Sequence, residues 1–263
     1  MYNNILTEID AGVGIITLNR PERHNAFDDA LIGELSEAID LMAAEPAVRV
    51  LVISSTGKSF CAGADLNWMK RAAAYGSEEN LRDSRALAEM LRNLAQCPKP
   101  TIARIQGPAY GGGVGLVACC DIAIATFDAQ FSLTEVKLGL IPAVISPHVI
   151  AAIGERYARR YMLTAERFSA AEAYRIGLLH EMVTDDVALD EAVGEIVDAL
   201  LKNGPRALAE CKELIAAVAW KPLSPEVIED TAQRITRLRA SSEGREGMTA
   251  FLEKRKPHWI VQG

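Results

Sequence analysis

Three consecutive glycines, Gly111 to Gly113, constrain what this chain can fold into more than any other feature. They follow a short apolar run, Thr101 to Ile105, which starts after Pro98 and Pro100 and predicts a buried strand. They precede Val114 to Cys120, a segment small and apolar enough for a helix packed on all sides. A strand-to-helix turn without Cβ atoms lets another backbone approach closely. The first helical turn also leaves N–H groups unpaired and favours an oxygen carrying negative charge. That is an oxyanion hole in outline, although close packing alone also accounts for a glycine-rich turn. A dinucleotide fingerprint needs G-x-G-x-x-G with an acid about 20 residues on, and a phosphate loop needs Gly-Lys-Ser/Thr. The order and spacing of Gly111, Gly113 and Lys137 match neither.

Strands and helices alternate around this turn. Ile5 to Ile9 and Val13 to Leu18 predict a hairpin through Gly12, followed by a polar loop over Asn19 to Ala26. Asp28 or Asp29 is placed to cap a helix carrying Leu31, Leu35, Ile39 and Met42 at helical spacing. Val48 to Ser54 is a second buried strand, and Ser59 to Leu66 is a loop leading into Trp68 and Met69. A polar stretch, Ala72 to Arg85, is expected to give way to a helix ending near Ala95, with Leu87, Met90, Leu91 and Leu94 on one face. Further strands follow at Ile122 to Ala125 and Gln130 to Ser132. From about Ser146 the pattern becomes helical: Ala151 to Leu163, Ala170 to Ile176, Leu189 to Leu201, Pro205 to Trp220, Pro225 to Leu238 and Glu243 to Lys254. The expected organisation is an α/β body over residues 1–190 and a helical region over residues 191–263, whose helices either cap their own subunit and close the pocket or pack on a neighbour.

Composition excludes several classes. With 263 residues, 49% of them hydrophobic and 24% charged, the chain can bury a full core. A net charge of −7 argues against nucleic acid as a partner. No apolar run reaches the ~20 residues of a membrane span. Met1 to Asp10 lacks a basic-then-apolar signal pattern, so a cytoplasmic location is expected. Cys61, Cys97, Cys119, Cys120 and Cys211 form no C-x-x-C pair, and the histidines (His24, His148, His180, His258) are scattered. Neither a disulfide framework nor a metal site is expected.

Five ordered motifs now stand together: Asn19-Arg20-Pro21 with Asn25-Ala26, Phe60 to Leu66, Gly107 to Gly113, Cys120-Asp121, and Glu135 to Pro142. Over essentially the whole chain they resemble the enoyl-CoA hydratase/isomerase (crotonase) superfamily. The resemblance implies an α/β crotonase (ClpP-like) spiral of ββα units with a C-terminal helical region, assembled as a homotrimer or as a hexamer made of two trimers. It implies that the substrate is an acyl-CoA thioester, with no cofactor beyond the coenzyme A that the substrate carries. Its oxyanion hole maps onto the N–H groups of Ala64 and Gly112, beside Gly111, and its acid/base onto Glu135, twenty-three residues beyond Gly112. The loops containing Asn25, Ala26, Ala62, Gly63, Asp65 and Leu66 would line the pantetheine and adenine, with Arg23 meeting the CoA phosphates. Lys254 is a further phosphate candidate that also reads as an ordinary solvated charge.

The departures carry information too. Hydratases of this superfamily typically hold one water between two glutamates, and the first of them falls on Gly115. The glycine-rich loop that normally follows the Ile-Pro pair is replaced by Ala143 to His148, so Pro142, Val144 and His148 would form a stiffer, more apolar acyl wall. A single glutamate is the arrangement of Δ3,Δ2-enoyl-CoA isomerases. Yet Val114 to Val117 with Val144 to Pro147 is similar to a bacterial branch of methylglutaconyl-CoA and carboxygeranoyl-CoA hydratases, which serves leucine and acyclic-terpene breakdown. The sequence therefore favours hydration by Glu135, ahead of isomerisation and, more distantly, non-catalytic acyl-CoA binding. The C2 proton would come from Glu135 through the same water or from His148.

Overall fold

The computed structural model describes residues 2–260. The chain opens with the hairpin β1 (Ile5–Asp10) and β2 (Val13–Leu18), turned by Ala11 and Gly12. Both turn residues have positive φ (45° and 89°), the backbone that a tight two-residue hairpin requires. A 3-10 turn at Pro21–Arg23 leads to α1 (Asp29–Ala44), whose N-cap is Asp28, accepting from the Leu31 N–H at 2.9 Å. Then come β3 (Val50–Ser55), α2 (Leu66–Ala72), α3 (Ser77–Ala95), β4 (Thr101–Ile105), β5 (Ala109–Tyr110), α4 (Gly112–Cys119), β6 (Ile122–Thr126) and β7 (Gln130–Ser132). A second 3-10 turn, Glu135–Leu138, precedes α5 (Ser146–Thr164), β8 (Phe168–Ser169), α6 (Ala170–Arg175) and β9 (Glu181–Val183). The chain continues through α7 (Asp186–Leu201), α8 (Pro205–Val218), α9 (Pro225–Ala240) and α10 (Ser242–Leu252).

Six strands form one sheet in the order β1-β2-β3-β4-β6-β9, parallel from β2 onward. A smaller sheet, β5-β7-β8, stands beside it. The continuous apolar runs are explained by burial on both faces of the large sheet. Leu51 and Ile53 of β3 face the main core with α1, α3, α4 and α5, while Val50 and Val52 face a second core with α7. In that second core Leu189, Ala192, Val193 and Val197 of α7 meet Ile102 and Ile124. The helix α7 thus crosses the residue-190 boundary expected from the sequence and covers the sheet itself. The helices α8 to α10 follow it. They are held by Arg49, whose guanidinium donates to the carbonyls of Leu201, Asn203 and Trp259, and by Lys212 on Asp121 at 2.6 Å. Asp121, the acid of the Cys120-Asp121 motif, also accepts from Thr101 N and Oγ1.

Two local expectations are corrected. The polar stretch Ala72 to Arg85 is helical from Ser77, because Glu79 reaches back to the Gly76 N–H and the first turns of α3 lie exposed, burying only Met90, Leu91 and Leu94 farther on. The helix expected from Ala151 begins at Ser146, with Pro147 in its first turn, and is broken at Gly154 (φ 73°, ψ 158°). No helix among the described residues is long and apolar enough to cross a membrane.

Candidate active site

The glycines bring three loops together. A Cβ on Gly63 would lie 2.9 Å from the Tyr110 carbonyl, and one on Gly113 would lie 2.3 Å from the Cys61 carbonyl. Only a bare Cα admits either contact, and the same approach is tied by the Tyr110 N–H donating to Cys61 O at 2.9 Å. The close backbone approach expected at Gly111 to Gly113 is therefore present. Phe27 joins the unit from the other side. Its N–H donates to Gly63 O at 2.6 Å, its carbonyl accepts from Asp65 N–H at 2.8 Å, and its ring packs on the Gly112 Cα. Ala64 and Gly112 consequently stand on adjacent loops, and neither N–H has a protein acceptor among the described residues.

Glu135 reaches this place through β7. Gly111 N–H donates to Ser132 O at 2.8 Å, and Glu135 opens the 3-10 turn three residues later. Gly111 takes φ 49°, ψ −117°, a backbone open to glycine, and a Cβ there would stand 3.1 Å from Glu135 Oε1. The other oxygen, Oε2, is buried and has no hydrogen-bond partner in the described protein. Burial raises the Glu135 pKa above the usual glutamate value, only partly offset by a hydrogen bond from its own N–H. A buried carboxylate left unpaired costs folding free energy, so its retention points to use.

The remaining predicted residues divide into those that face the site and those that shape it. Asn25 is fully buried: Oδ1 accepts from Arg20 N–H, and Nδ2 donates to Thr56 O and Ser59 O, so its side chain is spent on the loop. Asp65 is likewise committed. Its Oδ1 caps α2 through the Asn67 and Trp68 N–H groups, and its Oδ2 faces Arg23 at 3.1 Å. Burial alone would raise the Asp65 pKa, but these hydrogen bonds and Arg23 outweigh it and hold the carboxyl below its usual value. Arg23 and Leu66 are exposed, Ala26 and Pro142 are buried, and Ala62 is half-buried with its N–H on His24 O. Val144 packs on the main core. His148 is half-buried on α5, and burial lowers its pKa below the usual histidine value.

Gly115 is not an opening in the wall. A Cβ there would meet Ile145 Cγ2 at 2.2 Å, so the isoleucine side chain already fills the space a residue at 115 would enter. Arg20 and Ile145 lie inside the Asn19-Arg20-Pro21 and Ala143 to His148 segments, where neither was assigned a role of its own, and Phe27 was missed, its one signal a lone aromatic between Ala26 and Asp28. A groove of about 620 Å³ between α1 and α3 includes none of these residues. Its walls carry Asp29, Glu37, Asp40, Asp83 and Glu89, a poor match for a phosphate-bearing ligand. Among the described residues no group of three or more His, Cys, Asp or Glu side chains could hold a metal ion.

Comparison with known proteins shows the family and the fold. The family description "Enoyl-CoA hydratase/isomerase" matches residues 8–262. A putative enoyl-CoA hydratase of Thermus thermophilus is 34% identical over 97% of this chain and 100% of its own length. A crotonyl-CoA hydratase of Syntrophomonas wolfei is 33% identical over 98% of both chains. Among solved structures, an enoyl-CoA hydratase from Shewanella pealeana superposes with a TM-score of 0.95 at 44% identity, covering 98% of this chain and 96% of that one. The Pseudomonas aeruginosa protein AtuE gives 0.94 at 38% identity, covering 98% and 100%.

Proposed function

The chain belongs to the enoyl-CoA hydratase/isomerase family, and from that premise we propose that it adds water across the 2,3 double bond of an enoyl-CoA thioester. The N–H groups of Ala64 and Gly112 bind the thioester carbonyl oxygen and stabilise the enolate; one such donor is worth about 3–4 kcal/mol. Glu135 takes a proton from water as the water adds at C3, and the enolate is then protonated at C2. The observation that carries this reading is the unpaired, buried Glu135 Oε2 beside Gly111, with two free N–H groups on the adjoining loops. The C2 proton returns from Glu135 through the same water; His148 could donate instead only in its protonated form, which burial disfavours. Arg23 is exposed at the rim, where it can meet a CoA phosphate while still held by Asp65. The acyl group proposed is 3-methylglutaconyl or a related branched chain, a reading that rests on the similarity of Val114 to Val117 and Val144 to Pro147 to that hydratase branch.

The C-terminal helices serve association into a trimer or a pair of trimers. Trp220, Leu223, Phe251 and Leu252 are 78%, 83%, 82% and 79% exposed in the isolated chain, far more apolar surface than a lone helix region tolerates. A second catalytic reading, Δ3,Δ2-enoyl-CoA isomerisation, is favoured by one observation: Ile145 occupies the place of a second carboxylate. Mass-resolved assays of 3-methylglutaconyl-CoA, crotonyl-CoA and a 3-enoyl-CoA separate the readings, with Glu135→Gln as control. Addition of one water that is lost in the variant, with thioester binding retained, is the expected result. A mass-neutral shift of the 3-enoyl double bond alone overturns hydration, and full turnover by the variant removes Glu135 from its role.

A further inference from the structure

A buried arginine lies under the Ala64 loop. Arg20 is 5% exposed, and its guanidinium makes three separate ties: Nη1 donates to Ala26 O at 2.9 Å, and Nη2 faces Asp28 Oδ2 at 2.7 Å and Asp65 Oδ2 at 3.5 Å. The two carboxylates are used in the same way. Asp28 gives one oxygen to the first turn of α1 and the other to Arg20, while Asp65 gives one oxygen to the first turn of α2 and the other to Arg20 and Arg23. The N-caps of two helices are thereby held to one planar cation. Between those caps runs the two-bond bridge of Phe27 to Gly63 and Asp65, which fixes Ala64, and the Phe27 ring rests on Gly112.

We infer that Arg20 is a positioning residue for the oxyanion hole: it locks the Asp28 and Asp65 helix caps together so that the Ala64 N–H is held in register with the Gly112 N–H. This rests on the hydratase reading and deepens it. A buried ion pair contributes little net stability, since desolvation offsets the attraction, but it fixes geometry through charge-assisted bonds of defined direction. Misplacing a catalytic group by about 1 Å can cost on the order of 10²-fold in rate. Lysine keeps the charge but, as a point donor on a flexible stem, cannot hold Ala26 O and both carboxylates as a planar fork does. The two aspartates lie 37 residues apart in the chain, so no local element replaces the tie.

The test compares wild type, Arg20→Lys and Asp28→Asn in two readouts. Asn is as good an N-cap as Asp, so Asp28→Asn removes the ion pair while keeping α1 capped. The first readout is kcat and KM for the hydrated thioester. The second is the isotope-edited infrared stretch of bound butyryl-CoA labelled with ¹³C at its carbonyl, a saturated ester that is not turned over. In both variants kcat is expected to fall about tenfold to a hundredfold with KM little changed, and the carbonyl shift to lower wavenumber is expected to shrink. If Arg20→Lys does not fold, Asp28→Asn alone carries the test. A folded variant with wild-type kcat and wild-type carbonyl shift overturns the inference, as does a rise in KM at constant kcat. Failure of the hydratase reading looks different: wild type would then hydrate none of the esters or leave the butyryl carbonyl unshifted.

Discussion

Adding one methyl group at position 115 tests the packing at the centre of the site. In Gly115→Ala the new Cβ would lie 2.2 Å from Ile145 Cγ2 and 2.8 Å from Ile145 Cβ. Restoring even a tight 3.4 Å contact requires the isoleucine to retreat by about 1.2 Å. It has nowhere to go, because Ile145 is 3% exposed and its backbone is the N-cap residue of α5. Overpacking of this kind costs about 1–3 kcal/mol, less up to about 1 kcal/mol gained from replacing a helical glycine. Ile145→Ala alone should cost about 2–5 kcal/mol through the cavity it leaves. In the double variant the new methyl enters that cavity, so the combined loss should fall short of the sum by about 1–3 kcal/mol. Urea unfolding of all four proteins with a common m-value gives the coupling directly. Additivity within about 0.5 kcal/mol would refute the claim that Ile145 fills the space in front of Gly115. The same geometry means that a glutamate cannot be introduced at 115 unless Ile145 is made smaller.

Two further outcomes follow from titration and from exposed surface. Because burial raises the folded-state pKa of Glu135, its contribution to stability is present below the unfolded value and is lost as pH rises through the folded value. Glu135→Gln should therefore melt higher than wild type at pH 8, with the gap closing toward pH 4, and the wild-type kcat/KM should lose activity on the acid side at a pH above the usual glutamate range; equal melting temperatures at both pH values would contradict this. Phe251→Asp should lower the mass measured by sedimentation equilibrium from a multiple of the chain toward a single chain while leaving the circular dichroism unchanged, and a wild-type protein that sediments as a monomer would dismiss the association proposal.

Much of the layout was legible because the burial pattern is written in the residues. Val48 to Ser54 reads as a doubly buried strand, and the spacing of Leu31, Leu35, Ile39 and Met42 reads as a helix face, since each follows a period that one face of an element imposes. The strands β5 and β8 were not legible: two residues carry no periodicity, and these exist only because β7 is there to pair with them. The first half of α3 was hidden for the opposite reason, because its polar turns face solvent and leave no apolar stripe. At the site, Gly111 to Gly113 and Glu135 were visible as residue types suited to a chemistry. The work of Asn25 and Asp65 was not, because their partners Thr56, Ser59 and Arg20 are distant in the chain and polar side chains do not announce whether they face a ligand or a loop. Ile145 was visible as part of the Ala143 to His148 segment, but its contact with Gly115 was not, since only the missing Cβ of Gly115 makes room for it.

The break at Gly154 lets two stretches of one helix seat in the core independently. In an unbroken helix, inserting a residue rotates everything beyond it by about 100°. Here the phase is reset at φ 73°, ψ 158°, where the ladder of hydrogen bonds is interrupted. Val149 and Ile153 seat the eight residues from Ser146 to Ile153 in the core, and Ala158 and Tyr161 seat the later segment, with Tyr161 against Phe168. A change of length in the first segment therefore need not turn Tyr161 out of its socket. The first segment can settle its own register while the second keeps its own, which makes Gly154 a joint between two separately seated pieces of the core.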